Sequence, residues 1–251
     1  MSKSNSPAPT IFDCPFYPVT EADIETQMLA LIASDVPGYA VAINAEKIYR
    51  FQTNPVLQQT INQSVFPYPD GSGAVMSLRF MHGLASEKIN MPIRMLELAN
   101  KHCLPTFIVG ANEAIHISAI DIIKQRYPSI KLVGNMHGYH SEVEIESAII
   151  SAQPQVVMLA LGSPKQEYFA AKLSKKMSNG IIIGCGGALD ILAGRLKRAP
   201  EFIINNNLEW LYRLIQEPWR WRRQLFLFPF FTKLFYQVII QRVLRRSNEK
   251  N

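Results

Sequence analysis

Two kinds of apolar pattern alternate along this chain. Short, nearly unbroken apolar runs at Tyr39-Ala40-Val41-Ala42-Ile43, Thr106-Phe107-Ile108-Val109, Val156-Val157-Met158-Leu159-Ala160-Leu161 and Ile181-Ile182-Ile183 have the length and β-branched content of buried strands. Between them the apolar residues recur at helical spacing. Glu21 to Ser34 does so through Ile24, Met28, Leu29, Leu31 and Ile32, Glu46 to Gln63 through Ile48, Phe51, Val56, Leu57 and Ile61, and Ala114 to Arg126 through Ile115, Ile117, Ile120, Ile122 and Ile123. Shorter helices are expected around Ala74 to Met81 and from Pro92 to His102, and Ile130 to Val133 reads as a further strand. Val65-Phe66-Pro67-Tyr68-Pro69 is extended but too rich in proline for a central strand. Ser141 with Glu144 three residues on marks a capping box opening a helix that runs to Ser151.

Such alternation predicts an α/β fold, Rossmann-like, with a mostly parallel sheet and helices on both faces. Residues 1–20 read as a loose N-terminus, 21–200 as the α/β domain and 201–251 as a basic amphipathic appendage. Ligands of such sheets gather beyond the carboxyl ends of the strands. Asn44, Asp70, Gly110, Tyr139, Gly162 to Gln166 and Gly184 to Asp190 all fall there. At Gly162-Ser163-Pro164-Lys165-Gln166 a buried strand turns into a helix, with Ser163 expected as N-cap and Pro164 in the first helical position. Free N–H groups at that turn offer a place for phosphate.

Composition narrows the classes. With 251 residues, 48% of them hydrophobic and 18% charged, the chain can bury one sizeable core. Cys14, Cys103 and Cys185 are far apart and odd in number, which argues against a disulfide framework or a zinc site and for a reducing compartment. His137 and His140 lack a third ligand in register, so no metal site is assigned. Leu189 stands where a dinucleotide fingerprint needs glycine, which disfavours nicotinamide and flavin chemistry. The N-terminal residues show neither a signal peptide nor an anchor.

The net charge of +6 is concentrated: residues 203–251 hold nine Lys and Arg against three Asp and Glu. In that segment Trp219-Arg220-Trp221-Arg222-Arg223 precedes Leu225-Phe226-Leu227-Phe228-Pro229-Phe230-Phe231, too short to span a bilayer but suited to lie in its interface. A basic amphipathic helix packed on the chain's own core or on a partner subunit is the alternative. The aliphatic run fits nucleic acid poorly.

Taken in order, Ala42-Ile43-Asn44-Ala45-Glu46-Lys47-Ile48, Asp70-Gly71, Gly162-Ser163-Pro164-Lys165-Gln166-Glu167, Gly186-Gly187-Ala188-Leu189-Asp190, Lys197-Arg198-Ala199-Pro200 and Leu208-Glu209-Trp210-Leu211-Tyr212-Arg213 resemble the bacterial WecG/TagA/CpsF glycosyltransferases, over residues 38 to 224. The resemblance implies an inverting enzyme that moves an N-acetylmannosamine-type sugar, or its uronic acid, from a UDP donor to undecaprenyl-diphosphate-linked N-acetylglucosamine at the cytoplasmic membrane face. Its Asn-Ala-Glu-Lys motif looks closest to the enterobacterial common antigen branch. It implies Asp70 as general base, Asn44 and Gln166 on the sugar and acceptor side, and Tyr139 and Asp190 at the uridine. Arg213, Arg220 and Arg223 would meet charge on the leaving diphosphate. Gly162, Ser163, Gly186 and Gly187 would line the donor.

No Asp-x-Asp metal motif is present, so catalysis without a required divalent metal is expected, with the UDP-sugar as substrate and no cofactor. The expected partners are that donor, the polyprenyl-diphosphate-linked acceptor and the inner face of the cytoplasmic membrane; no nucleic acid is expected, and a homo-oligomer is compatible with the sequence. One departure stands out. Where family members carry Arg before a Gly-x-Asp segment, this chain reads Glu87-Lys88-Ile89-Asn90-Met91-Pro92-Ile93-Arg94. Lys lacks the planar fork of Arg, which keeps open a different nucleotide sugar or acceptor, alongside a non-catalytic membrane-associated nucleotide-sugar-binding subunit.

Overall fold

The computed structural model describes residues 8–34, 36–197, 199–206, 208–218, 221 and 225–248. Its centre is a six-stranded sheet built from β3 (Gly38–Ile43), β4 (Phe66–Pro69), β5 (Pro105–Gly110), β6 (Lys131–Met136), β7 (Val156–Ala160) and β8 (Ile181–Gly184). The spatial order is β4-β3-β8-β7-β5-β6, and every pairing is parallel. The proline-rich strand β4 takes an edge, where missing N–H donors cost least.

Side chains alternate across the sheet and feed two cores. Tyr39, Val41, Ile43, Val157, Leu159 and Ile182 face one core, and Ala40, Phe66, Ile108, Met158, Ile181 and Ile183 face the other. The connecting helices divide accordingly. Helices α2 (Ala45–Phe51), α3 (Pro55–Asn62), α4 (Gly71–His82), α7 (Glu142–Ala152) and α8 (Lys165–Leu173) place buried residues in the first core. Those of α1 (Ile24–Ile32), α5 (Met91–Lys101), α6 (Glu113–Arg126) and α9 (Ala188–Leu192) lie in the second. The chain therefore leaves β3 and β7 toward one face but leaves β8, which lies between them, toward the other. Parting connections of this kind open a crevice at the carboxyl edge.

Three expectations are corrected. The helix expected from Glu46 to Gln63 is two helices, because Asn54 caps a new start through its side chain on the Leu57 amide, with Pro55 in the first turn. Ser163 is not the cap of α8; the helix begins at Lys165 with Pro164 in the cap position and no side-chain cap bond. Residues 8–20 are not loose where the structure describes them. They form a hairpin, β1 (Thr10–Ile11) with β2 (Cys14–Pro15), and Ile11, Cys14, Phe16 and Val19 are fully buried. A short stretch rich in proline holds its place through these buried apolar side chains together with the hairpin and the Tyr17 amide on the Pro67 carbonyl at 2.6 Å.

The C-terminal part comprises α10 (Glu201–Asn205), α11 (Glu209–Gln216) and α12 (Leu227–Asn248). Helix α12 packs on its own protein: Phe230 and Leu234 are buried in the first core, and the Phe230 ring meets Phe12 of the hairpin at 5.8 Å edge-on. Its opposite side leaves Phe228, Phe235, Tyr236 and Ile239 exposed. The reading of a helix packed on the chain's own core is thus met by its buried side. Among the described residues no helix is long and apolar enough to cross a membrane.

Candidate active site

Each of the strand-end residues singled out above sits at the carboxyl edge, but only some are drawn together. Asn44 ends β3 and caps α2, its side chain accepting from the Lys47 amide at 2.9 Å. That cap fixes the first turn of α2, so the Lys47 side chain folds back under the edge. There its Nζ donates to the Ala42 carbonyl at 2.7 Å and to Glu167 Oε1 at 2.6 Å. Both partners of this ion pair are buried, with side chains 8% and 4% exposed. Neither Lys47 nor Glu167 was assigned a role from the sequence. The only signal was their presence inside the Asn-Ala-Glu-Lys and Pro-Lys-Gln-Glu motifs, 120 residues apart.

Gln166 continues the group. Its Nε2 donates to Glu167 Oε1 at 3.3 Å and its Oε1 accepts from the Gly186 amide at 3.4 Å. This bridge between α8 and the turn after β8 requires glycine at 184, where a Cβ would stand 2.3 Å from Gln166 Nε2. Gly162 turns the chain out of β7 with φ +79°, a conformation glycine adopts without strain.

Asp70 follows edge strand β4, its amide donating to the Ile43 carbonyl at 2.8 Å. It holds the cap position of α4, yet its carboxylate makes no cap bond and is exposed. Beside it Tyr68 is buried, and burial first, then the charges of Asp70, Cys185 and Glu167, push its phenol well above the ordinary tyrosine range. Tyr68 is thus a neutral hydroxyl set among Asp70 and Glu167, and sequence reading passed it over as an edge-strand residue. Burial also pushes the Cys185 thiol upward, and that of Cys14 up to about 12.

The other candidates have surroundings of their own. Tyr139 is 80% exposed on the loop after β6, between His137 and His140, whose rings stack at 4.1 Å. The loop is tied to the end of β5 through the Gly138 amide on the Ala111 carbonyl at 2.7 Å. Asp190 in α9 is engaged by Arg195 at 2.9 Å. Gly186 and Gly187 form the turn before it. Arg213 lies on α11 and pairs with Glu209 of its own helix at 3.8 Å. Arg220 and Arg223 lie outside the described residues. Lys88 does not enter the cluster: its Nζ donates to the Ile204 carbonyl in α10 at 3.2 Å and so holds the C-terminal part to the domain. Among the described residues no group of three or more His, Cys, Asp and Glu is arranged to hold a metal ion.

A parallel α/β sheet whose connections part at the carboxyl edge places the chain in a class of α/β folds that bind their ligands beyond the strand ends. The chain belongs to the WecG/TagA/CpsF family of glycosyl transferases, whose model matches residues 9–247. It is similar to the N-acetylglucosaminyldiphosphoundecaprenol N-acetyl-beta-D-mannosaminyltransferase of Bacillus spizizenii, 31% identical over 192 residues that make up 75% of each chain. It is also similar to the protein of that name in Bacillus subtilis, 36% identical over 206 residues, 80% of this chain and 77% of the relative. Membership makes glycosyl transfer the activity of the class, and the six motifs read from the sequence fall within the matched span.

The buried pair supports a stability prediction. Lys47→Met strands a buried carboxylate and lowers the free energy of unfolding by about 3–5 kcal/mol, and adding Glu167→Met restores most of the loss. Urea unfolding followed by circular dichroism checks both; a double variant as unstable as the single one would contradict the coupling.

Proposed function

We propose that the protein transfers an N-acetylmannosamine-type sugar from a UDP donor to a polyprenyl-diphosphate-linked N-acetylglucosamine in cell-envelope polysaccharide synthesis. The donor and acceptor come from the motif resemblance and from the names of the two Bacillus relatives. The observation that carries the chemistry is Asp70. A carboxylate without a bond to its own helix, exposed at the strand edge beside the Lys47–Glu167–Gln166 group, is free to accept a proton. In this reading it takes the proton of the acceptor hydroxyl while that oxygen attacks the anomeric carbon. The carbon–oxygen bond to the diphosphate breaks on the opposite side, UDP departs and the configuration inverts.

Charge grows on the diphosphate as that bond breaks. The start of α8, next to Gly162 and Ser163, and the arginines of the appendage, Arg213, Arg220 and Arg223, are the groups assigned to meet it, without a divalent metal. Arg213 would have to exchange Glu209 for the phosphate. Tyr139, exposed on its loop, offers a face for the uracil ring, and Asp190 and the Gly186-Gly187 turn a place for the ribose side. Asn44 and Gln166 line the sugar side.

A lipid-linked acceptor asks for a protein that reaches the membrane face. The exposed row of Phe228, Phe235 and Ile239 on α12 supports this, with the surplus of Lys and Arg in residues 203–251 adding attraction to anionic lipid. The site then works at the cytoplasmic surface of the membrane as a peripheral protein. A second reading, the same reaction with another nucleotide sugar or acceptor, is favoured by one observation: Lys88 stands at the family's arginine position and its amine is spent on the Ile204 carbonyl.

Asp70→Asn is expected to lower kcat by about 10²–10⁴-fold while the affinity for UDP changes by less than about twofold; transfer at the unaltered rate would exclude Asp70 as base. Replacing Phe228, Phe235 and Ile239 together by Ser is expected to weaken partition onto anionic liposomes more than about tenfold at an unchanged melting temperature. Sedimentation with vesicles measures it, and undiminished binding would remove this face from the membrane contact.

A further inference from the structure

Glu167 is held by only one of its two oxygens. Oε1 takes Lys47 Nζ at 2.6 Å and Gln166 Nε2 at 3.3 Å, whereas Oε2 is buried and has no hydrogen-bond partner. An ion pair that served only to join α2 to α8 would not require this. Lys47 needs one oxygen, and a buried carboxylate oxygen left unpaired is a standing penalty on the fold. The position of Glu167 shows where a partner would come from. Gln166 beside it reaches the Gly186 amide across the end of β8, Lys47 anchors it to the end of β3, and its charge is felt by Tyr68 next to Asp70. Glu167 therefore lies beneath the carboxyl ends of β3, β8 and β7, inside the group of candidate residues.

Resting on the transferase reading above, we infer that Glu167 is a sugar-recognising residue whose Oε2 accepts a hydrogen bond from a pyranose hydroxyl or N-acetyl N–H of the bound substrate. Lys47 and Gln166 saturate the other oxygen and fix the carboxylate in place, so the acceptor atom is pre-oriented and no rotamer has to be chosen on binding. A site built this way discriminates strongly, because a substrate lacking the matching donor leaves the buried oxygen unpaired. The same chemistry is present on the donor sugar and on the acceptor sugar, and the experiment has an arm for each.

The test uses the full chain, Glu167→Gln, and the double variant Lys47→Met with Glu167→Met, which removes the acceptor atom without stranding a charge. Calorimetry measures UDP and UDP-N-acetylmannosamine, and steady-state kinetics measure KM for a short-chain prenyl-diphosphate N-acetylglucosamine. The expected result is that one sugar ligand weakens by about ten- to a hundredfold in both variants, as loss of a charge-assisted hydrogen bond dictates, while UDP affinity moves less than about twofold. A change in UDP-sugar affinity assigns Oε2 to the donor; a change confined to acceptor KM assigns it to the acceptor. Equal weakening of UDP and UDP-sugar would mean a structural role only, and no change in either arm would mean that Oε2 meets no substrate; both overturn the inference. Failure of the unaltered chain to bind UDP at all would overturn the transferase reading and this inference with it.

Discussion

Opposite charges 2.6 Å apart beneath the carboxyl edge of the sheet hold this site together. Lys47 stands in the first turn after β3 and Glu167 in the first turn after β7, and β8 runs between those two strands. Joining them ties together the two connections that flank β8, whose own connection runs to the other face. Removing one charge would leave the other buried without compensation, so the pair is both a tie and a constraint. Gln166 bonds the Glu167 carboxylate, and Asn44 caps the helix that carries Lys47.

The C-terminal part is bound to this framework at several places. Phe230 and Leu234 of α12 complete the first core beside the N-terminal hairpin, and Lys88 holds the Ile204 carbonyl of α10. The appendage is thus continuous with the domain while its outer row of aromatic and aliphatic side chains stays exposed. The exposed apolar row belongs to the same helix that completes the first core, so whatever surface docks on it is mechanically connected to the strand edge.

Much of the framework was legible because local pattern and tertiary demand agreed. The unbroken apolar run before Gly162 could only be a buried strand, Ser141 and Glu144 form the capping box their spacing implied, and the prolines around Tyr68 do sit on an edge strand. The convergence of Asn44, Asp70, Gly162 and Gly186 at one edge followed from parallel topology alone. What escaped was long-range or side-chain specific. Nothing local announces that Lys47 meets Glu167, that Arg195 occupies Asp190, or that a Pro-rich segment such as 8–20 buries Ile11 and Phe16. The break at Asn54-Pro55 was overridden by a helical period that continued on both sides of it.

The central claim is that this edge transfers a sugar from UDP to a lipid-diphosphate acceptor. Its most direct measurement is UDP release from UDP-N-acetylmannosamine and from its uronic acid, with and without a short-chain prenyl-diphosphate N-acetylglucosamine, in EDTA and in magnesium. The account predicts release that depends on the acceptor, persists in EDTA and distinguishes the two donors. Measurable UDP binding with no acceptor-dependent release from either donor would contradict it.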